Sequence, residues 1–180
     1  MNLKYIIPVV LLLISTDVSA RSIDLNINSD ALRLTYASVV SKNVVTDVGF
    51  LYIDKGNKFK DEEIAWHAGL NLVSGDVRFG ARALFVTPGE SEALAIGFGG
   101  QARFALANNI GLGGHFYYAP EVTSMLDAKG YHEYSIRLDF KIAPSGYIYL
   151  GYRNMKVSIG DRNNKVEIDD DVMLGFKVYF

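Results

Sequence analysis

Residues 93–107 read ALAIGFGGQARFALA, and the alternation within this stretch decides the fold. The even positions from Leu94 to Leu106 are mostly large and apolar, whereas the odd positions between them are small or polar. Successive side chains of a β-strand point to opposite faces. The stretch therefore predicts one strand with an apolar environment on one side and a crowded, more polar one on the other.

The same period of two runs along most of the chain. Eight segments share it, at residues 47–52, 64–72, 77–85, 93–107, 110–118, 133–142, 148–153 and 172–180. We predict strands of about 9–13 residues, the length a tilted strand needs to cross a bilayer. Residues 23–27 and 32–36 also alternate, and Asn28-Ser29-Asp30 between them is typical of a turn. The pattern predicts an all-β fold, a transmembrane antiparallel up-and-down β-barrel of about ten strands, with eight strands and a pendant N-terminal segment as the alternative.

The first twenty residues have a different character. Lys4 is followed by an apolar run from Tyr5 to Ile14, and Val18-Ser19-Ala20 precedes Arg21. This layout predicts a secretory signal peptide over residues 1–20, cleaved after Ala20, and an outer-membrane barrel over residues 21–180. The apolar run is too short for a spanning helix, which needs about 20 residues.

The placement of charged residues distinguishes a membrane barrel from a soluble barrel, whose strands also alternate between apolar and polar side chains. Four predicted loops contain 18 of the 36 charged residues of 21–180 within only 42 positions, at 54–63, 87–93, 119–130 and 158–170. A soluble barrel would need charges along its outer face. The connections at 74–75, 108–109 and 144–146 are short. Short turns facing the periplasm and long loops facing outward are typical of outer-membrane barrels.

Aromatic residues and the C-terminus favour the same environment. Six aromatic residues are predicted to form interfacial girdles near strand ends, namely Tyr52, Trp66, Tyr118, Tyr131, Tyr134 and Tyr152. Gly175, Val178 and Phe180 resemble the C-terminal assembly signal of outer-membrane proteins, although Met173 stands where that signal usually has a polar residue. The C-terminal strand is apolar and would be an exposed edge in an open sheet. We therefore expect it to pair with the first strand and close the barrel.

Charged side chains on the glycine-rich face are expected to line the lumen. These are Arg33, Asp47, His67, Arg78, Arg82, Arg103, His115, Glu133, Arg137, Asp139, Lys141 and Arg153. Two interpretations remain open. The arginine excess could line a narrow, anion-preferring pore, or the charges could pair and fill the barrel. A barrel of eight to ten strands has little more interior than its side chains need, which favours a filled or very narrow lumen.

No motif points to catalysis, a cofactor or a metal ion. His132 and Ser135 are three apart on one strand and so face opposite sides, which excludes them as a base–nucleophile pair. Asp169-Asp170-Asp171 is interpreted as a solvated charge run, with divalent-ion bridging to lipopolysaccharide as a further hypothesis. We expect no enzymatic activity. The net charge of −2 gives no reason to expect a nucleic-acid partner.

Three segments carry a family resemblance. Residues 114–124 read GHFYYAPEVTS, residues 151–153 read GYR and residues 160–164 read GDRNN. They resemble the YfaZ family of predicted outer-membrane proteins. The resemblance implies an outer-membrane barrel, described as porin-like, with no established substrate and no catalytic residues.

The leading functional hypothesis is a porin-like, monomeric outer-membrane protein with slow or selective passage of small solutes. The alternative is a non-conducting structural or binding barrel whose surface loops contact lipopolysaccharide or a partner. A lipid-active enzyme is disfavoured because the nucleophile geometry is missing. The expected partners are outer-membrane lipids, lipopolysaccharide, the barrel-assembly machinery and periplasmic chaperones.

Overall fold

The computed structural model describes residues 21–54, 63–88, 91–160 and 164–180. The predicted signal peptide, residues 1–20, and most of the predicted loop 54–63 lie outside these ranges. Within them, the alternating segments form strands. Residues Glu121–Thr123 form a short 3-10 helix. The strands are β1 (Arg21–Ile27), β2 (Ala31–Ser41), β3 (Val44–Ile53), β4 (Glu63–Ser74), β5 (Val77–Thr87), β6 (Ala93–Ala107), β7 (Ile110–Ala119), β8 (Ser124–Leu126), β9 (Ala128–Ala143), β10 (Gly146–Ile159) and β11 (Asn164–Tyr179).

Ten of these strands close into an antiparallel ring, which confirms the ten-strand prediction. Each strand pairs with the next along the ring, and β7 pairs with β9 because the short β8 lies outside it against β6. The ring closes where β1 pairs with β11. There the Arg21 N–H donates to the Phe180 carbonyl at 2.8 Å, and the Phe180 N–H donates to the Arg21 carbonyl at 2.9 Å. Closure removes the exposed edge that an open sheet would present.

The two ends of the barrel differ in their connections. Both chain ends of the described barrel lie at one end, together with the two-residue connections 42–43, 75–76, 108–109 and 144–145. At the opposite end lie the described connections 28–30 and 120–127 and the strand ends that border 54–62, 88–92 and 160–163. Following the usual pattern of such barrels, we call the first the periplasmic end and the second the outer end.

The outward face of the strands is apolar. Leu70, Phe98 and Leu174, for example, are 56%, 55% and 60% exposed. A continuous band of such side chains would be unfavourable in water and is suited to hydrocarbon. Among the residues described, no helix is long and apolar enough to span a bilayer.

Inward-facing glycines make room for large neighbours across the strand ladder. A Cβ on Gly49 would overlap the ring of His67, and a Cβ on Gly175 would overlap the ring of Tyr149. Glycine is therefore required at these two positions by close packing inside the barrel. Close packing against Tyr149 is thus a second reason for glycine at position 175, in addition to its place in the predicted assembly signal.

The last hairpin corrects one predicted loop. Residues 158–170 were expected to form a long loop, but β10 reaches Ile159 and β11 begins at Asn164. The two strands stay paired to their ends, with one extra residue, Ile168, between the pairs Met155–Asp169 and Lys156–Glu167. This β-bulge lets both Ile168 and Asp169 turn inward and be buried. The interpretation of Asp169 as part of a solvated charge run is therefore wrong.

Two smaller expectations also change. Tyr131 was assigned to an interfacial girdle, but it is 1% exposed and points into the lumen. The strands formed by the eight segments predicted at about 9–13 residues range from the 10 residues of β3 and β7 to the 16 of β9 and β11. Strands β9, β10 and β11 stay paired up to their outer ends.

Candidate functional site

The outer half of the lumen is filled by buried apolar side chains, which we call the outer plug. They come from the outer ends of β2–β7 and β9–β11, and Leu51, Leu84 and Val86 are each at most 2% exposed. The described members are Ala31, Leu51, Ile53, Ala65, Leu84, Val86, Ala93, Ala95, Tyr117, Ala119, Ala128, Tyr131, Met155, Val157 and Ile168. These side chains pack against one another as they would in a protein interior.

Glu133 lies immediately below the outer plug and is completely buried. Arg33 Nη1 donates to its Oε1 at 2.5 Å, and Arg82 Nη1 donates to its Oε2 at 3.1 Å. His115 Nε2 lies 2.9 Å from Oε1, and the Tyr131 hydroxyl donates to Oε2. Four donors, three from the other strands β2, β5 and β7 and one from β9 itself, therefore converge on one carboxylate, which is how a buried charge is stabilised.

Asp47 is the second acidic centre of the same layer. Asn71 Nδ2 donates to it at 2.8 Å, and Arg82 Nη2 donates at 3.4 Å. His67 Nε2 lies 3.4 Å from Asp47 Oδ1, while His67 Nδ1 lies 3.2 Å from Arg33 Nη2. Arg82 thus bridges both carboxylates, so the two clusters form one network.

A further buried ion pair, between the neighbouring strands β10 and β11, lies beside this network. Arg153, 1% exposed, donates through Nε to Asp169, and its Nη1 donates to Asn26 Oδ1 at 2.7 Å. Asn28 Nδ2 donates to Asp169 at 2.7 Å. The middle of the lumen therefore holds three arginines against three acids, which are Arg33, Arg82 and Arg153 against Asp47, Glu133 and Asp169.

Below this balanced layer a cavity of about 220 Å³ opens at the periplasmic end. We call it the periplasmic vestibule. Turn residues Gly75 and Asp76 form part of its rim, and His115 and Ser135 lie at its inner wall. The full lining is Val73, Gly75, Asp76, Arg78, Gln101, Ala102, Arg103, Gly114, His115, Ser135, Arg137, Lys177 and Tyr179.

Three of the four cations on the vestibule wall share two acids. Arg103 Nε donates to Asp139 at 2.6 Å. Arg137 lies 3.0 Å from Asp24 and 3.1 Å from Asp139, and Lys177 Nζ lies 3.7 Å from Asp24. These distances leave positive charge on the wall in excess of the acids that contact it.

Arg78 is the fourth cation of the vestibule wall. It is partly exposed and forms no ion pair with any residue in the described part of the chain. The remaining acid of the vestibule lining, Asp76, is exposed to solvent at the rim. Arg78 therefore presents a guanidinium group to the cavity without a carboxylate to neutralise it.

A short hydrogen-bonded row connects the vestibule to the buried network. Ser135 Oγ lies 2.8 Å from His115 Nδ1, and His115 Nε2 lies 2.9 Å from Glu133. Because an ionised Glu133 can only accept, the proton of a neutral His115 is assigned to Nε2, and Ser135 then donates to Nδ1. Sequence reasoning missed this row because it compared Ser135 only with His132, its neighbour on the same strand.

The structure places eleven of the twelve predicted lumen residues inside the lumen. Lys141 continues the inward phase of Asp139 on β9 and is exposed to solvent at the periplasmic rim. The predicted set of lumen residues did not include other inward polar residues, which are Asp24, Asn26, Asn71, Tyr117, Tyr131, Ser135, Tyr149, Asp169 and Lys177. Most of these continue the period of two, so the strand phase alone could have identified them. The inward position of Asp169 could not be predicted from phase because the bulge at Ile168 shifts the alternation. The apolar character of the outer plug was also not predicted.

No group of three or more His, Asp or Glu side chains within the described ranges is arranged to hold a metal ion. The polar centres of the lumen are instead occupied by arginine, asparagine and tyrosine donors. Their chemistry is that of charge pairing inside a protein, because guanidinium groups do not ligate metals.

Comparisons with solved structures identify outer-membrane barrels. The chain is similar to the outer membrane channel DcaP of Acinetobacter baumannii, with 16% identity, a TM-score of 0.42 and coverage of 87% of this chain and 54% of that chain. It is similar to the NanC porin, with 13% identity, a TM-score of 0.46 and coverage of 88% and 98%. It is also similar to the outer membrane protease OmpT from Escherichia coli, with 10% identity, a TM-score of 0.51 and coverage of 90% and 93%.

The chain spans about half the length of the DcaP channel. At these identities the likeness concerns the fold alone, and the OmpT match agrees with a closed antiparallel outer-membrane barrel. No curated protein matches the sequence significantly. The family model for the YfaZ precursor matches residues 3–180, almost the whole chain. With its apolar exterior and closed ring, the chain is a small outer-membrane β-barrel that belongs to the YfaZ precursor family.

Proposed function

We propose that this protein is a non-conducting outer-membrane barrel that holds its outer loops at the cell surface for contact with lipopolysaccharide or a partner. The observation that carries the proposal is the outer plug, whose apolar side chains fill the lumen between the buried charges and the outer end. The alternative suggested by the sequence, slow or selective solute passage, requires a continuous polar path through this region.

The plug is built into the barrel wall. Its side chains stand on strands rather than on a loop, and Leu51, Leu84 and Val86 belong to strands paired along their full lengths. Moving them aside would require breaking strand ladders, whereas a plug on a mobile loop could swing out. An ion that entered the plug would also lose its hydration without gaining polar ligands, which is unfavourable.

We also propose that the protein has no catalytic activity, although Ser135, His115 and Glu133 form a row like that of a hydrolase. In such enzymes the carboxylate stabilises the imidazolium that forms during reaction. Here Glu133 is already compensated by Arg33 and Arg82, at 2.5 and 3.1 Å. Little negative charge remains to favour proton transfer to His115. Labelling of wild type by a fluorophosphonate probe, absent in Ser135→Ala, would contradict this proposal.

Conductance tests the closed lumen. The refolded protein, reconstituted in planar lipid bilayers, is expected to show no current steps at any voltage, and Arg78→Ala and Arg103→Ala are expected to be equally silent. Membrane insertion must be verified separately by protease protection of the barrel in vesicles. Wild-type current steps that scale with salt concentration, and that change in the two arginine variants, would establish a channel and end the proposal.

Surface contact needs its own experiment. The described connections and strand ends at the outer end carry both charge signs, with Lys129 3.1 Å from Glu121 and Lys156 2.9 Å from Glu167. In vesicles containing lipopolysaccharide we expect slower proteolysis of the outer connections than in phosphatidylcholine vesicles, with the periplasmic turns unaffected. Equal proteolysis in both membranes would remove lipopolysaccharide as the contact. The other proposed associations are with outer-membrane lipids, the barrel-assembly machinery and periplasmic chaperones, with the barrel itself monomeric.

A further inference from the structure

The periplasmic vestibule has the features of a binding site that the closed outer end alone does not explain. A barrel that only displays loops could pair every inward charge, as the middle layer does. The vestibule instead keeps Arg78 without an acidic partner among the described residues, next to three cations that share two acids. The excess of cations faces a cavity rather than bulk solvent.

Two of the four cations, Arg103 and Arg137, are held in place before any ligand arrives. The Arg103 guanidinium lies 4.9 Å from the centre of the Tyr147 ring, and the Arg137 guanidinium lies 4.7 Å from that of Tyr149. A Cβ on Gly111 would lie 2.5 Å from Arg103 Nη2, so this glycine leaves the space that the arginine occupies. Stacking and close packing reduce the conformational entropy that binding would otherwise cost.

We infer that the periplasmic vestibule binds a small soluble molecule bearing a phosphate or carboxylate group. Guanidinium groups match both oxyanions through two parallel hydrogen bonds. The cavity of about 220 Å³ has room for about seven waters, or for one small organic anion in their place. The anion enters from the periplasm and stays on that side, a restriction that rests on the proposed closure of the outer plug.

Isothermal titration calorimetry tests the site on the full mature barrel in zwitterionic detergent at low ionic strength. The probes are inorganic phosphate and succinate, and succinamide serves as the uncharged counterpart of succinate. Each anion is expected to give saturable, one-site binding that weakens with added salt, whereas succinamide gives none. Arg78→Gln should weaken binding about tenfold, because it removes one charge-assisted contact.

Lys42→Gln is the matched control, since Lys42 is an exposed cation in the 42–43 turn at the same end but outside the cavity lining. Its affinity for both anions should equal that of wild type. Both variants must show wild-type unfolding midpoints, and added phosphate should raise the midpoint of wild type more than that of Arg78→Gln. Absence of saturable binding by wild type, equal weakening by both variants, or equal affinity for succinamide would overturn the inference.

A second measurement avoids the arginine variants. The chain contains no cysteine, so Gln101→Cys introduces a single thiol on the vestibule wall. Phosphate is expected to slow labelling of this thiol severalfold while leaving labelling of Lys42→Cys unchanged, and equal labelling rates at Gln101→Cys with and without phosphate would contradict binding there. Conductance remains the separate test of the closed lumen. A conducting barrel that binds phosphate would refute the proposed function alone, and a silent barrel that fails to bind would refute this inference alone.

Discussion

Replacing Glu133 by glutamine should remove the charge at the centre of the lumen while keeping the size of the side chain. Glu133 is completely buried, and it is the only acid in the described part of the chain that forms an ion pair with Arg33. Arg82 keeps Asp47 at 3.4 Å. The substitution therefore leaves one buried guanidinium without its counterion.

Breaking a buried ion pair by removing one partner costs about 3–5 kcal/mol. We expect Glu133→Gln to lose this amount, a large fraction of the about 5–15 kcal/mol that stabilises a typical domain. The control is Glu121→Gln, which removes an exposed pair with Lys129 at 3.1 Å. Exposed pairs contribute about 0–1 kcal/mol, so the control should unfold almost as wild type does.

Equilibrium urea unfolding in phospholipid vesicles measures the difference. Trp66 is the only tryptophan, and it lies on the outward face. Its ring centroid lies 4.6 Å from that of Phe50. The fluorescence emission of Trp66 should therefore shift to longer wavelength when the barrel unfolds into water. In the background of Arg33→Met, the cost of Glu133→Gln should shrink by at least 0.5 kcal/mol, within the range of about 0.5–3 kcal/mol for contacting residues. A Glu133→Gln barrel within 1 kcal/mol of wild type would refute the reasoning, because the network would then contribute little.

Three further predictions use the same unfolding assay. Leu84→Ala, inside the plug, should cost about 2–5 kcal/mol, more than the lipid-facing Leu70→Ala, because it leaves a cavity. Gly175→Ala should cost about 1–3 kcal/mol through overlap with Tyr149, whereas Gly130→Ala, whose Cβ would lie 3.4 Å from its nearest neighbour, should cost less. Asp169→Asn should cost about 3–5 kcal/mol by leaving Arg153 unpaired, and Asp170→Asn, near the surface, less. Equal effects within any pair would contradict the packing or pairing assigned to it.

The arrangement of side chains about the barrel wall could be predicted from local sequence. Alternation in 93–107 predicted which side chains face outward, and Phe98 and Phe104 lie there, while Arg103 faces inward. The turn at 28–30 predicted the first hairpin and hence the tenth strand. These inferences succeed because the period of two is a property of neighbouring residues along one strand, independent of what the strand meets.

The contents of the lumen required the tertiary structure. Glu133 and Arg33 are 100 positions apart, and Ser135 and His115 are 20 apart on neighbouring strands. Whether such residues meet depends on the stagger between strands and on the tilt that ring closure imposes, and neither is written in the pattern of a single strand. The bulge at Ile168 shows the same limit, since one extra residue reverses the phase on which a local reading depends.

Sequence by itself determined that the chain is a barrel with an apolar exterior. Every strand that crosses the bilayer must present apolar side chains to the hydrocarbon, so the pattern can be recognised in each strand separately. Only the closed ring decided that the inward side chains form an apolar plug, a balanced ionic layer and a basic vestibule. Those three layers arise when side chains from strands far apart in the sequence are brought to the same height along the axis, which local patterning does not encode.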